Sequence, residues 1–302
     1  MKWKKSGQIF CPNENYSWMH SYASYPWAAI LDRDIIKCYF SCRDKYNRSS
    51  IGYVIFDINK PQVILDISPN PVLSKGETGT FDDSGVSFSC MVNINHKNYL
   101  YYLGWNILTT VPWKNTIGLA IEDEDGNFKR YSKAPVLGIH HIDPFTLTYP
   151  FVMYDEGIYK MWYGTSLFWG PKVEDTIHII RYATSDNGID WQRQNIDCIK
   201  PEHTGEFAIV KPFVIKENNL YRMWYSYRIG NAYKMGYAES ITGTEWKRKD
   251  YEVGIFPSET GWDADMVCYP FVFDHNNERY MLYNGNGYGK TGFGLAKLQK
   301  EK

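Results

Sequence analysis

A phrase that recurs along the chain constrains its fold more than any other feature. From Asp265 to Ala296 it reads DMVCYPFVFDHNNERYMLYNGNGYGKTGFGLA: an alternating run, an Asp/Asn turn, an aromatic run, a glycine-rich loop and a short third run. β-Branched and aromatic stretches between turn-forming residues predict a three-strand antiparallel meander. Three more copies follow the same plan: SYPWAAILDRDIIKCYFSCRD then SIGYV, TYPFVMYDEGIYKMWYGTS then IIRYATS, and IVKPFVIKENNLYRMWYSY then KMGYAE. Their prolines are Pro26, Pro150, Pro212 and Pro270, of which the last three lie 62 and 58 residues apart. Pro26 and Pro150 are separated by 124, twice the repeat, so a disguised copy should sit near position 88. One does: SGVSFSCMVNINHKNYLYYLGWN then NTIGLA, with Phe88 where the others carry proline. Five copies of about 60 residues, each a small sheet, predict an all-β five-bladed β-propeller, a single domain over residues 1–302.

Two copies continue into a turn and a Trp-led polar run, DNGIDWQRQ (Asp186–Gln194) and TGTEWKRKD (Thr242–Asp250), which predicts a fourth, outer strand in each four-stranded antiparallel blade. The last copy ends without one. The N-terminal KWKK resembles the missing piece, so an N-terminal strand is expected to complete the last blade and cover its edge.

Composition narrows the partners. A net charge of −1 gives no field toward nucleic acid or an anionic membrane. The start, MKWKKSGQIF, lacks a signal-peptide apolar run, and nothing approaches the length of a membrane span. The closest cysteines, Cys38 and Cys42, are separated by four strand residues, roughly 13 Å, too far for a disulfide. No Cys/His metal spacing occurs. Reduced cysteines and a cytoplasmic location are expected.

With 25 Tyr and 11 Trp, most aromatic residues must fill the wedges between blades. Trp105, Trp113, Phe168 and Trp169 lie near the two longer insertions, 103–115 and 166–176, where propeller loops carry function, but core is the expected place for each. Gly287–Gly292 fits a phosphate-binding glycine pattern only superficially. No helix is expected after it to supply a dipole and free N–H groups.

Chemistry is expected where inner strands converge. Five to seven positions before each proline position stand His20 and Ser21, Asp82 and Asp83, Asp143 (beside His141 in HHIDP), Glu206, and Asp263 and Asp265. Carboxylates at one phase of a repeat are unusual in strands, and adjacent carboxylates separate their proton affinities into an acid and a base. Glycoside hydrolysis needs such a pair. A structural cation, such as a central calcium, is the bland alternative. Arg43, Arg181, Lys211 and Arg228 belong to the same neighbourhood, to neutralise the carboxylates or to grip an anionic group of a substrate.

Five blades with an acidic channel mouth resemble the furanosidase-type glycoside hydrolases: arabinanases and xylosidases of family 43, fructosidases of families 32 and 68, and mannoside phosphorylases of family 130. HSYASYP, FDDSG, GWDADMVCYPFVFD and YNGNGYGKTGFG most resemble bacterial glycosidase-like propellers that accompany surface-polysaccharide genes. The resemblance implies a carbohydrate-active enzyme that cleaves or transfers a glycosyl unit in surface-glycan metabolism. Glu206 would be the general acid and Asp143 the carboxylate that tunes it. Copy one departs, with His20 and Ser21 where the first Asp should stand. Asp83 or Asp265 would then supply the second carboxylate, or His20 the base. Phosphorolysis, with phosphate held by the basic residues, is the alternative reaction. A non-catalytic propeller that binds a glycan or nucleotide sugar is the alternative class.

Overall fold

The computed structural model describes residues 1–170, 172 and 175–300. After β1 (Trp3–Phe10) come four meanders of four strands each. They are β2–β5 (Ser21–Asp32, Ile35–Arg43, Ser49–Asp57, Ile64–Ile67) and β6–β9 (Gly85–Ile94, Lys97–Ile107, Trp113–Glu122, Phe128–Arg130). Next are β10–β13 (Leu147–Asp155, Ile158–Phe168, Ile177–Ser185, Gln192–Ile199) and β14–β17 (Glu206–Glu217, Leu220–Ile229, Ala232–Ser240, Lys247–Arg248). The last run has three strands of its own, β18–β20 (Cys268–His275, Glu278–Asn284, Phe293–Leu298). Single parallel bridges, Ser49 to Gly85 and His178 to Ala208, join the four meanders into two eight-stranded sheets. The architecture is all-β and propeller-like.

Turn chemistry makes the first hairpin of most runs. Asn95–His96, Glu156–Gly157, Asn218–Asn219 and Asn276–Asn277 all hold both central residues at positive φ. That twist matches the strands it joins, and Asn and Gly tolerate it best. The N-terminal strand pairs antiparallel with β20, Trp3 opposite Leu298 and Lys5 opposite Ala296, so it supplies the fourth strand of the last run. Each run also touches the next. Trp105 Nε1 donates to Ser49 Oγ at 2.7 Å, Ser89 Oγ to the Pro150 carbonyl at 2.6 Å, and Lys216 Nζ to Asp155 Oδ1 at 2.9 Å. Arg279 reaches Glu217, and His275 Nε2 lies 2.6 Å from Asp34 Oδ1, which ties the last run back to β2–β5.

The residue after each proline points to the centre, joined by Phe88 from the run that lacks the proline. Trp27 packs against Phe271 (ring centroids 4.3 Å), Phe88 (5.5 Å), Phe213 (6.0 Å) and Phe151 (6.4 Å), one ring from every other run. Only a central position allows that, so these rings block the axis. The disguised copy is slipped by one residue from its expected alignment. Tyr102, like Tyr163, bonds an Asp twenty residues earlier, and Phe88 pairs with Tyr102. Ser89, not Phe88, therefore takes the proline's place.

Candidate functional site

The residue before the proline builds the site in three of the four runs that carry one, as Tyr25, Tyr149 and Tyr269. Proline disfavours a helical residue ahead of it, yet β2, β14 and β18 place Tyr25 (φ 60°), Lys211 (φ 56°) and Tyr269 (φ 56°) in the left-handed region at a bulge. Tyr25 lies 4.3 Å from Tyr149 and 4.6 Å from Tyr269, ring centroid to centroid. This trio stands above the blocked axis. Lys211 is buried beside the block: its Nζ donates to the Ser89 carbonyl at 2.7 Å and lies 5.8 Å from the Trp27 ring. Burial pulls its pKa down to about 8.

Over the trio opens a cavity of about 520 Å³, within the size range of small-molecule sites. Its wall adds Tyr22, Tyr233, Tyr288, Trp105 and Trp113 to the trio, with hydroxyls and amides from Ser24, Ser87, Asn115 and Thr148 between the rings. Trp105 and Trp113 thus face the cavity rather than the core. Among the described residues no carboxylate lines it. Burial raises the Tyr25 phenol to about 12, so it is a hydrogen-bonding group and not an anion. His178 also lines the wall; burial lowers it to about 4, so the ring is neutral at ordinary pH, and Nδ1 is 2.7 Å from Ser166 Oγ. Arg43 is left as the wall's one formal charge among the described residues. Its Nη1 donates to Asn47 Oδ1 at 2.7 Å, and its Cζ lies 4.9 Å from the Tyr22 ring and 5.8 Å from that of Trp105.

The recurring carboxylates stand elsewhere, and this corrects their expected convergence on a channel mouth. Each is clamped within its own run. Asp82 accepts from Tyr102 Oη (3.0 Å) and Arg130 Nε (2.8 Å). Asp143 accepts from Tyr163 Oη (2.8 Å), Arg193 Nε (2.7 Å) and Arg181 Nη1 (3.1 Å). Asp263 accepts from Tyr283 Oη (3.1 Å) and Lys5 Nζ (2.6 Å). Glu206 takes both arms of Arg248 at 2.6 and 2.8 Å, while Tyr225 bonds Asp250, which shares Arg248. All four are buried. The base always comes from the outer strand, two residues after an aromatic: Phe128-Lys-Arg130, Trp191-Gln-Arg193, Trp246-Lys-Arg248, Trp3-Lys-Lys5. It stands opposite an alanine of the third strand, Ala120, Ala183, Ala238 or Ala296. Desolvation alone would raise the Glu206 pKa, but Arg248 and the Glu202 and His203 N–H groups bring it below the usual value. An ionised, doubly clamped carboxylate has no proton to give, so the general-acid role does not fit Glu206. Asp143, closed in by two guanidinium groups, has no face open to a sugar.

The β2–β5 run lacks all three members of the clamp together. His20 is exposed where the acid would be, Phe40 (opposite Gly52) replaces the tyrosine, and Ile67 (opposite Val54) replaces the base. Phe40 instead stacks on Trp18 at 6.0 Å and meets Phe10 at 5.1 Å. The Trp18 ring lies over Gly52, where a Cβ would come within 2.1 Å of it. Where the other runs have a clamp, the β2–β5 run has an aromatic cluster.

Of the remaining candidates, Asp83 is partly exposed at the rim. Asn106 Nδ2 donates to it at 2.7 Å, next to the cavity-lining Ile107. Asp265 is exposed, its N–H bonded to Asn286 Oδ1. Ser21, Lys211 and the exposed His20 and His141 do not line the cavity. Arg181 is occupied by Asp143 and Asp197. Arg228 sits over the Phe207, Tyr233 and Tyr288 rings, outside the cavity wall. Within the 166–176 insertion, Phe168 is exposed and Trp169 packs on Trp113, while positions 171, 173 and 174 lie outside the described residues. Among the described residues no group of three His, Cys, Asp or Glu side chains could hold a metal, so a central cation finds no donor set. No described helix is long and apolar enough to cross a membrane.

No protein-family model matches the sequence. Uncharacterized protein Rv1502 of Mycobacterium tuberculosis is 44% identical over 299 residues, covering 99% of this chain and 100% of its own. This chain is a member of that protein's family. Among solved structures, a glycoside hydrolase is similar with a TM-score of 0.77 at 17% identity, covering 98% of this protein and 92% of that one. A structure from the GH130 family of mannoside phosphorylases, containing hydrolases that target β-1,2 mannosidic linkages in Candida mannan, gives 0.72 at 13% identity, with 99% and 94% covered. A thermostable family-43 glycoside hydrolase gives 0.68 at 16%, with 97% and 94% covered. At such identities the likeness is one of fold.

Proposed function

We propose that the five runs are the blades of a single-domain, five-bladed propeller that binds a saccharide in its central cavity, in bacterial surface-glycan metabolism. One observation carries this reading. Four of the tyrosines on the cavity wall, Tyr22 (φ 64°), Tyr25 (φ 60°), Tyr269 (φ 56°) and Tyr288 (φ 63°), are held in the left-handed region. Such a conformation costs a non-glycine residue on the order of 1–3 kcal/mol, and it persists where the surroundings impose it for a purpose. The purpose here is a ring of phenols. Their faces suit the C–H surfaces of a sugar and their hydroxyls suit its hydroxyls. Glycosidase-like folds among the solved structures fit the same ligand class.

Calorimetric titration with neutral and acidic monosaccharides, oligosaccharides and nucleotide sugars tests it. Binding is expected from at least one saccharide class and is expected to be lost in Trp105→Ala, which also loses the Ser49 contact and should melt lower but still in one cooperative transition. A protein that binds no member of the panel sinks the reading. A second reading rests on Asp83. Partly exposed beside the cavity, it is kept ionised because hydrogen bonds from Gly79, Asn106 and Ser84 outweigh its desolvation. It would serve as the base that takes a proton from the attacking water in hydrolysis, a role that Asp265 would fill in its place if Asp83 does not. Turnover of aryl glycosides, with or without phosphate, that disappears in Asp83→Asn would favour that reading.

A further inference from the structure

The charge of the ligand can be read from the arginine on the wall. Arg130, Arg193, Arg248 and Arg279 are all held by carboxylates. Arg43 has no carboxylate partner among the described residues, although it is half-buried, and its one side-chain hydrogen bond goes to the neutral Asn47. A half-buried, unpaired cation is unfavourable in the empty protein, and a ligand anion relieves that penalty. The guanidinium is also pre-positioned. Tyr22 and Trp105 flank it and Asn47 fixes one terminal nitrogen, which limits its rotation, while its other N–H groups have no protein acceptor among the described residues. Its charge reaches the phenols of Tyr25 and Tyr149 on the cavity floor, favouring their ionised forms against a much larger effect of burial.

Resting on the saccharide reading above, we propose that the bound sugar carries a carboxylate, as a uronic acid does, and that Arg43 recognises it. One planar guanidinium matches one planar carboxylate through two parallel N–H···O bonds. A phosphate monoester, with close to two negative charges at neutral pH, would call for a second cation on the wall. No lysine lines it, His178 is neutral, and Arg228, also without a carboxylate partner among the described residues, packs on the Tyr233 and Tyr288 rings but does not itself line the cavity.

The test uses sugar pairs that differ only at the oxidised carbon: the methyl glycosides of glucuronic, galacturonic and mannuronic acids, each against its neutral hexoside, with glucose 6-phosphate as a third arm. Calorimetry on the full-length protein is expected to show one uronide binding roughly ten- to a hundred-fold more tightly than its neutral counterpart, the scale of a charge-assisted hydrogen-bond pair. Arg43→Gln should erase that preference without lowering the melting temperature. Asn47→Asp, which gives the guanidinium an internal carboxylate, should erase it too with the arginine retained. Equal binding of acid and neutral sugars, unchanged in both variants, overturns the proposal and leaves the saccharide reading standing. Tighter binding of glucose 6-phosphate than of any uronide overturns the carboxylate assignment. If no sugar of any kind binds, both readings fall together.

Discussion

The clamps and the cavity treat charge in opposite ways. At each clamp a buried carboxylate meets its base within 2.6–2.8 Å, and at three of the four a tyrosine hydroxyl donates to the same carboxylate. The cavity wall is also rich in tyrosine, but among the described residues its one formal charge is Arg43, which has no carboxylate partner there. A satisfied buried pair leaves nothing for a ligand, whereas an unsatisfied cation in a concave site is an invitation to one. Removing a clamp should therefore cost stability, and removing a cavity group should cost binding.

The largest expected effect comes from deleting residues 1–10. That removes β1, exposes the edge of β20 and leaves Asp263, only 2% exposed, without Lys5. Breaking a buried pair costs about 3–5 kcal/mol, and lost strand pairing adds to it. A fall of roughly 10 °C or more in melting temperature is expected. A truncated protein that melts with the full-length one would show that neither edge nor clamp matters.

Next come the clamp acids. Asp143→Asn keeps the shape but leaves Arg181 and Arg193 facing a neutral amide, and about 3–5 kcal/mol should be lost in chemical denaturation. Saccharide binding per folded molecule should not change. Glu206 gives the same contrast through pH. Its folded pKa is depressed below the usual 4.5, so its contribution is fully present above that pH and is lost as pH falls through the folded value. Glu206→Gln lacks this contribution throughout. The stability gap between parent and variant should be widest near neutrality and close in acid. A gap that widened on acidification would contradict an ionised, stabilising Glu206.

How much of this was legible in the sequence follows from distance along the chain. Strands within a run are joined by turns a few residues long, so a repeat of Tyr-Pro-Phe phrases was enough to expect the meanders. The phase of the carboxylates was equally visible, but not its meaning, because the bases lie 48, 50 and 42 residues downstream and, for Asp263, 258 residues upstream. The signal was present in the aromatic-x-base triplet on the outer strand of each clamped run, whose Trp-Lys-Lys form had already marked β1 as an outer strand. The cavity was harder to see. Tyr25, Tyr149 and Tyr269 each precede a proline, but the bulge that turns them inward is a backbone geometry that an alternating pattern does not predict. That Arg43 meets no carboxylate among the described residues is visible only once those residues have been placed in space.

The smallest expected effect is also the sharpest test of the exchange in the β2–β5 run. Tyr102 and Phe40 hold the same register, each opposite a glycine of the third strand, Gly118 and Gly52. Tyr102→Phe removes a donor to Asp82 but leaves Arg130 and Thr80 bonded to it, so the loss should be modest, about 1–2 kcal/mol. Phe40→Tyr places a hydroxyl in a cluster of Trp18, Phe10 and Phe293, with no carboxylate ahead of it in the chain and Ile67 where the base would be. A buried hydroxyl without a partner costs about 1–3 kcal/mol. The same atom should thus stabilise one run and destabilise another. If Phe40→Tyr were neutral while Tyr102→Phe was costly, water would be reaching the cluster. If both were neutral, the hydroxyl would be incidental and the clamp would reduce to its ion pair.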